Sequence, residues 1–253
     1  MNIITSKDNE TIKHIKKLKD KKYRDQNNEF IVEGIKIIKE AIEEKAIIKA
    51  IIVCDECVSE GQIPQKWLYE IAKYNLIYVS EKIFTTLTDV VSPQGILAVI
   101  EKKDTSKVNY EEDIIVCLDN IQDPGNMGTI LRTIDSVGLK QVVISKSSVD
   151  AFNPKVVRST MGAIYRVNII EVDSLEQFIK EAKKNKYKVS ATCLDNAISI
   201  YDMSYENKVI VIGNEANGVS KEVLEICDEC VKIPMIRENR VFKCLSCNWS
   251  CIV

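Results

Sequence analysis

The sequence predicts an α/β protein in two parts, a small N-terminal unit over residues 1–100 and a larger one over 113–253 with a mainly parallel sheet. Three observations carry this. From Asp113 onward, short apolar runs alternate with helical stripes in regular succession, the pattern of βαβ units. The stretch 101–112 holds three lysines and four acids with no apolar periodicity, which suits a linker. The first hundred residues carry their own alternation of helices and strands, and no internal repeat or low-complexity tract interrupts the chain.

Taken in order, residues 8–20 place Ile12, Ile15 and Leu18 at three-residue spacing, which predicts a helix. Phe30, Ile31 and Val32 form a short strand. Ile35, Ile38, Ala41 and Ile42 then mark the core stripe of a second helix. A strand over 48–54, a helix over 65–74, a strand over 76–79 and a closing strand over 95–100 complete the first unit. In the second, strands are expected at 114–118, 141–145, 166–170, 188–193 and 208–212. Helices are expected from Asn126 to Val137, over 154–159 and over 175–184.

Length and composition narrow the class. At 253 residues, 45% apolar and 28% charged, the chain reads as an ordinary globular protein of one large or two smaller domains. No apolar run approaches the roughly 18 residues needed to span a membrane, and the first residues lack the apolar core of a signal peptide. Nine cysteines, odd in number and scattered, do not form a secreted disulfide framework, so a reducing cytoplasm is the expected compartment. A net charge of −2 argues against a protein that coats nucleic acid without selectivity. The charge is uneven, however: residues 7–24 hold eight Lys or Arg against three acids, with the lone His14 among them. Such a run is either a solvated helix face or a phosphate-contacting patch carried by Lys16, Lys17, Lys21, Lys22 and Arg24.

The stretch most suggestive of chemistry is Asp123-Pro124-Gly125-Asn126-Met127-Gly128, with Arg132 further on. A strand, a turn and a helix carrying these residues would aim an amide and a guanidinium at one spot beside a helix N-terminus, where an anion is favoured. Gly213, Glu215 and Gly218 follow the strand 208–212, and Ile233-Pro234-Met235 comes after them. No Gly-x-Gly-x-x-Gly follows a strand, and the 213–218 turn lacks the Lys-Ser/Thr of a phosphate loop, so nothing points to a dinucleotide site or to nucleotide hydrolysis.

In this order the segments resemble the SpoU (TrmH-like) family of RNA ribose methyltransferases. Its first motif is matched by Asp123, Pro124, Asn126, Gly128 and Arg132, its second by Gly213, Glu215 and Gly218, and its third opens as Ile233, Pro234 and Met235 do. A patch from Asn153-Pro154-Lys155 through Arg158-Ser159-Thr160-Met161-Gly162-Ala163 is also similar. The first unit resembles, more loosely, the α/β RNA-binding domain attached to some members, through Ser6-Lys7, the Lys-rich helix and Phe30-Ile31-Val32-Glu33-Gly34.

The resemblance implies a C-terminal α/β knot, a mainly parallel sheet whose backbone forms a trefoil knot around S-adenosyl-L-methionine. Knots are so rare that no pattern in the residues could suggest one. It further implies a homodimer that methylates a ribose 2′-hydroxyl of ribosomal RNA, with transfer RNA the lesser option. Gly213, Ile233 and Met235 would bind the cofactor; Asn126, Arg132 and Glu215 would form the catalytic set. Arg132 stands where the family has its catalytic arginine. A guanidinium is a poor base, so a clamp on the neighbouring phosphate is favoured, with the base role open. Taken singly, Asn126 also fits a helix N-cap and Glu215 a solvent-exposed turn carboxylate. A non-catalytic RNA-binding remnant of such an enzyme is the alternative function.

Three Cys-x-x-Cys pairs, at Cys54 and Cys57, Cys227 and Cys230, and Cys244 and Cys247, invite a zinc reading. None is expected to hold metal, because the last pair falls in a tail that departs from the family. Members continue past Ile-Pro-Met with a Gly and then Ser-Leu-Asn-Val-Ser, whereas here Ile236 is followed by Arg-Glu-Asn-Arg-Val-Phe-Lys. With one base removed near codon 237, one synonymous spelling of the tail reads Ile-Gly-Lys-Ile-Glu-Ser-Leu-Asn-Val-Ser and an apolar helix beyond. Residues 237–253 are therefore expected to be a frameshifted reading that lacks the end of the third motif.

Overall fold

The computed structural model describes residues 3–105, 107–193 and 196–234. Met235 and the tail 237–253 lie outside the described residues. The chain divides into two compact units, Met1–Lys103 with Phe152–Tyr165, and Asp104–Ala151 with Arg166–Val253.

The first unit begins with α1 (Glu10–Lys17) and α2 (Lys21–Asn27), followed by β1 (Glu29–Glu33) and α3 (Ile35–Glu43). Next come β2 (Ile48–Cys54), α4 (Asp55–Ser59), α5 (Gln65–Ile71), β3 (Leu76–Val79), α6 (Glu81–Leu87) and β4 (Ile96–Glu101). The helix expected over 8–20 is α1, and the basic stretch continues into a second helix, α2, that the sequence reading does not expect. Asn9 caps α1 by accepting from the amides of Thr11 and Ile12, and Asp20 caps α2 through the Lys22 amide. A second cap three residues past the end of the first helix is what breaks it. Ile12, Ile15 and Leu18 are buried as the spacing requires. The four strands order as β1-β4-β2-β3, with β4 antiparallel to both neighbours and β2 parallel to β3.

The second unit contains β5 (Ile114–Leu118), α7 (Pro124–Ser136) and β6 (Gln141–Ser145). After α8 (Pro154–Ser159), which belongs to the first unit, come β7 (Asn168–Val172), α9 (Leu175–Lys184), β8 (Lys188–Thr192) and β9 (Ile198–Ser199). β10 (Lys208–Ile212), α10 (Lys221–Leu224) and β11 (Glu229–Lys232) complete it. The strands form one sheet in the order β7-β6-β5-β10-β8-β11-β9, and every paired neighbour is parallel. Helical crossovers cover a parallel sheet on both faces, which is why β6 and β10 are buried at every residue. Residues 107–112, part of the 101–112 stretch polar enough to read as a linker, are fastened to this unit. Asn109 exchanges hydrogen bonds with the Gln141 side chain, and the Tyr110 and Tyr187 rings meet edge to face at 5.8 Å.

Two carboxylates, Asp228 and Glu229, place the strands that matter for the site. Lys208 in β10 is buried, and its Nζ donates to Glu229 Oε1 at 2.7 Å; the same oxygen accepts from Ser190 Oγ in β8. Asp228 accepts from the Val189 amide and from Lys183 Nζ. Burial pushes the Asp228 carboxyl up, but these donors outweigh it and hold it below the usual carboxylate range. Together they dock β11 beside β8.

Candidate functional site

The strand order reverses direction between β5 and β10. From β5 the chain winds outward through α7 to β6 and β7, and it returns to build β8, β10 and β11 on the other side. Loops leaving two such strands at their C-terminal ends diverge, and the crevice between them is where open α/β sheets bind ligands. Here those loops are residues 119–123 and 213–220.

Side chains close the two loops on each other. Asp119, buried directly after β5, accepts from the Ser220 amide at 2.8 Å. Asn214 Nδ2 donates to the Asn120 carbonyl at 2.9 Å, while its Oδ1 accepts from the amides of Ala216 and Asn217. Asn120 itself takes a left-handed φ of 57° and donates its amide to Ser145 Oγ at the end of β6. The Asn214 and Gly218 backbones pair in both directions at 2.9 Å. This turn folds so tightly over Gly213 that a Cβ there would lie 2.1 Å from the Val219 nitrogen and 2.2 Å from the Gly218 carbonyl carbon. Only glycine fits.

Asn126 and Glu215, 89 residues apart, are joined: Asn126 Nδ2 donates to Glu215 Oε1 at 2.5 Å, and both are half-buried. Glu215 is therefore not a free turn carboxylate. Nor does Asn126 start the helix. Pro124 opens α7, and Asp123 is the cap, accepting from the Asn126 amide at 2.8 Å. The Asp123 carboxylate thus already stands at the positive end of the α7 dipole.

Arg132 is exposed, with no hydrogen-bond or ion-pair partner among the described residues. Six residues along an α-helix amount to roughly 600° and 9 Å. Asn126 and Arg132 thus face about 120° apart, and α7 does not aim them at one spot. Asp135, three residues on, is held by Arg166 through a bidentate pair at 2.9–3.0 Å.

Of the expected cofactor residues, Gly213 directly follows β10 and Ile233, half-buried, follows β11 on the same edge of the sheet. β8 lies between these strands, so the two positions are about 10 Å apart. Met235 is outside the described residues. The sequence reading misses Asp119, Asn120 and Asn214. The available signal is a pair of polar residues directly after a fully apolar strand, in a loop with no other reason to hold them.

In the first unit, Lys16, Lys17 and Lys22 line one open groove with Tyr23, and Lys21 and Lys22 line a second with Asp25. Lys17 Nζ lies 5.4 Å above the Tyr23 ring. Arg24 does not join them. It is 1% exposed, and its Nη1 donates to the Leu18 carbonyl at 2.8 Å, fastening the turn between α1 and α2. The expectation that Arg24 meets RNA fails on burial. His14 bridges Glu29 Oε2 at 2.6 Å and the Tyr23 hydroxyl.

Cys54, Cys57, Cys117, Cys193, Cys227 and Cys230 are free thiols, and no group of three or more His, Cys, Asp or Glu among the described residues could hold a metal ion. Burial pushes Cys54 and Cys227 up to about 12. Cys244 and Cys247 are outside the described residues. Among the described residues no helix is long and apolar enough to cross a membrane.

An all-parallel sheet with a polar, glycine-dependent crevice at its switch point defines an α/β protein whose candidate ligand site lies between the β5 and β10 loops. Comparison with known proteins makes this specific. Residues 113–242 match the SpoU rRNA Methylase family, and residues 9–98 match the MRM3-like substrate binding domain. The chain is 33% identical over 236 residues to the 23S rRNA (guanosine(2553)-2′-O)-methyltransferase RlmP of Bacillus subtilis, covering 93% of this chain and 91% of that one. A putative TrmH family tRNA/rRNA methyltransferase of Staphylococcus epidermidis is 29% identical, over 82% of this chain and 87% of its own. Among solved structures, an AdoMet-bound rRNA methyltransferase from Sinorhizobium meliloti superposes with a TM-score of 0.84 at 25% identity, over 99% of this chain and 95% of that one. The chain belongs to the SpoU rRNA methylase family.

Proposed function

We propose that this protein is an S-adenosylmethionine-dependent methyltransferase acting on a ribose 2′-hydroxyl of ribosomal RNA. Family membership supports the reaction class. The observation that carries the site is the Asn126–Glu215 hydrogen bond, which joins the first turn of α7 to the β10 loop at the sheet's switch point. S-adenosylmethionine, when bound, supplies a methyl group made electrophilic by its sulfonium. The residues present fit it: Gly213 leaves no side chain between the 213–219 turn and the sheet edge, and Ile233 offers an apolar contact. Gly213 and Ile233, with Met235, would hold the cofactor.

The chain's own residues do the rest. Asn126 fixes one carboxylate oxygen of Glu215, leaving the other to accept from the target nucleotide. A guanidinium is a poor base and a planar fork for anions, so the part of Arg132 is to clamp the phosphate beside the target hydroxyl. Its distance around α7 from Asn126 favours a homodimer, in which a second copy completes the site. Residues 1–100 form the RNA-binding domain, with Lys16, Lys17, Lys21 and Lys22 on backbone phosphates; residues 113–253 form the methyltransferase domain, its backbone knotted around the cofactor. The enzyme acts in the cytoplasm. Arg237–Val253 is a frameshifted reading, and resequencing that finds no extra base near codon 237 sinks that part.

The test is calorimetry with S-adenosylmethionine, paired with methyl transfer to unmodified ribosomal RNA, on this chain and on a version with the frame restored. Binding and transfer by the restored chain support the reading. Binding of RNA without cofactor by both chains favours the non-catalytic remnant instead.

A further inference from the structure

Within the first unit a cleft of about 330 Å³ opens beside the N-terminus of α3. Its walls come from the 88–95 loop, from α3 and from α8 with the residues just after it, and include Glu33, Lys36, Glu40, Gln94, Arg158 and Met161. Nothing in the catalytic arrangement uses it. Segment Phe152–Tyr165 is packed in place by the Phe152 and Phe30 rings, 5.0 Å apart, and by Lys102 Nζ, 4.7 Å from the Phe152 ring. The cleft is therefore a built feature of the unit.

Met161 is its unusual member. It has a left-handed φ of 51°, which long side chains seldom adopt, and it is 46% exposed. Gly162 behind it presses on Glu40, whose Oε2 lies 2.9 Å from where a Cβ would sit. A strained backbone that holds a thioether open to solvent at the rim of a cleft is the kind of outlier that marks a ligand contact. Lys36 and Arg158 add positive charge and make no hydrogen bond or ion pair among the described residues. Gln94 Oε1 accepts from the Ile35 amide at 2.9 Å, which leaves its amino group to donate. Glu33 Oε1 accepts from Thr88 Oγ1 at 2.6 Å, and its other oxygen has no hydrogen-bond partner among the described residues.

We propose that this cleft binds one unpaired guanine nucleotide of the RNA substrate, its base against Met161, its N–H edge on Glu33 and its phosphate on Lys36 and Arg158. The inference rests on the ribosomal RNA reading above. A nucleotide alone combines the features these walls complement: an anion, a flat apolar face and an edge of N–H donors. Guanine presents adjacent ring and amino donors to a carboxylate, whereas uracil flanks its single donor with two carbonyl oxygens that a carboxylate repels.

The experiment is fluorescence anisotropy on the full chain, with two labelled single-stranded RNA decamers, one all uridine and one carrying a central guanosine. The guanosine decamer should bind roughly ten-fold more tightly, the scale of one well-made base contact. Glu33→Gln and Met161→Gly should each abolish that preference, while Arg158→Ala should weaken both decamers alike. Glycine tolerates the backbone at 161, so Met161→Gly should melt no lower than the parent and separates lost contact from lost fold. Equal binding of the two decamers, or an intact preference in Met161→Gly, overturns the proposal. Calorimetry with S-adenosylmethionine on the frame-restored chain distinguishes the two readings: retained cofactor binding without a guanosine preference removes only the cleft, while loss of cofactor binding and methyl transfer by that chain removes the function itself.

Discussion

Gly213→Ala is the perturbation that most directly tests how the site is built. An added Cβ would lie 2.1 Å from the Val219 nitrogen, 2.2 Å from the Gly218 carbon and 2.4 Å from the Gly218 oxygen. All three are backbone atoms, so no rotamer change relieves the overlap. Ordinary contact needs about 3.4 Å, and the turn must therefore retreat by more than 1 Å from the sheet edge. A shift of that size opens both Asn214–Gly218 backbone bonds, each 2.9 Å long and worth about 1 kcal/mol net. Overpacking adds about 1–3 kcal/mol, for a total of about 3–5 kcal/mol. At about 2–4 °C per kcal/mol for a protein of this size, the thermal midpoint should fall by roughly 6–20 °C. The same retreat carries Glu215 away from Asn126, so cofactor binding and methyl transfer should fail even at temperatures where the variant stays folded. Differential scanning fluorimetry and cofactor calorimetry read the two effects. A midpoint within about 2 °C of the parent with unchanged affinity would refute the claim that the turn needs glycine.

Arg132→Lys keeps the charge but loses the planar fork; turnover should drop about 100-fold in a methyl-transfer assay, as for a misplaced reactant. Its thermal midpoint should not move, since Arg132 has no partner among the described residues to lose. Arg24→Met leaves the Leu18 carbonyl without its donor in a buried turn and should cost about 2 kcal/mol in a urea titration. Lys16→Ala with Lys22→Ala should instead leave stability alone and lower the salt slope of RNA binding by about two. Burial pushes the Glu33 carboxyl above its usual range, more than the Thr88 hydroxyl bond and the charge of Arg158 pull it down. Its folded pKa thus exceeds the unfolded one, and the stability tied to its proton is present in acid and lost as pH rises through the folded value. Glu33→Gln should accordingly raise the urea midpoint near pH 7 and leave it unchanged near about pH 4.

Much of the sheet is legible in the chain because a strand buried on both faces must be apolar throughout. Val209, Ile210, Val211 and Ile212 leave no other reading, nor do Ile115, Val116, Cys117 and Leu118. β11 is not legible: its four residues include Glu229 and Lys232, and its place beside β8 depends on Asp228 and Glu229 finding Lys183, Lys208 and Ser190. The break between α1 and α2 hides in a lysine-rich stretch, where only Asp20 signals a new cap. The burial of Arg24 is hidden for the same reason, since charge alone does not say which cation turns inward. At the site, the motif residues are visible as types, but the Asn126–Glu215 bond spans 89 residues and exists only through the strand order.

That strand order also bears on where Arg132 acts. Asn126 sits in the first turn of α7, close to the β10 loop, whereas Arg132 faces about 120° away and roughly 9 Å further along. A long RNA could reach both from one protomer, or Arg132 could serve the crevice of a second copy. Mixed dimers decide between these. Combining Arg132→Ala with Asn126→Ala protomers leaves every site damaged if both residues act within one chain. If Arg132 acts across a two-fold interface, half of the dimers are mixed and each mixed dimer carries one intact site. Methyl transfer should then recover to about one quarter of the parent rate. Recovery would make Arg132 the partner's contribution to each site; no recovery would return it to the phosphate of an RNA bound along a single α7.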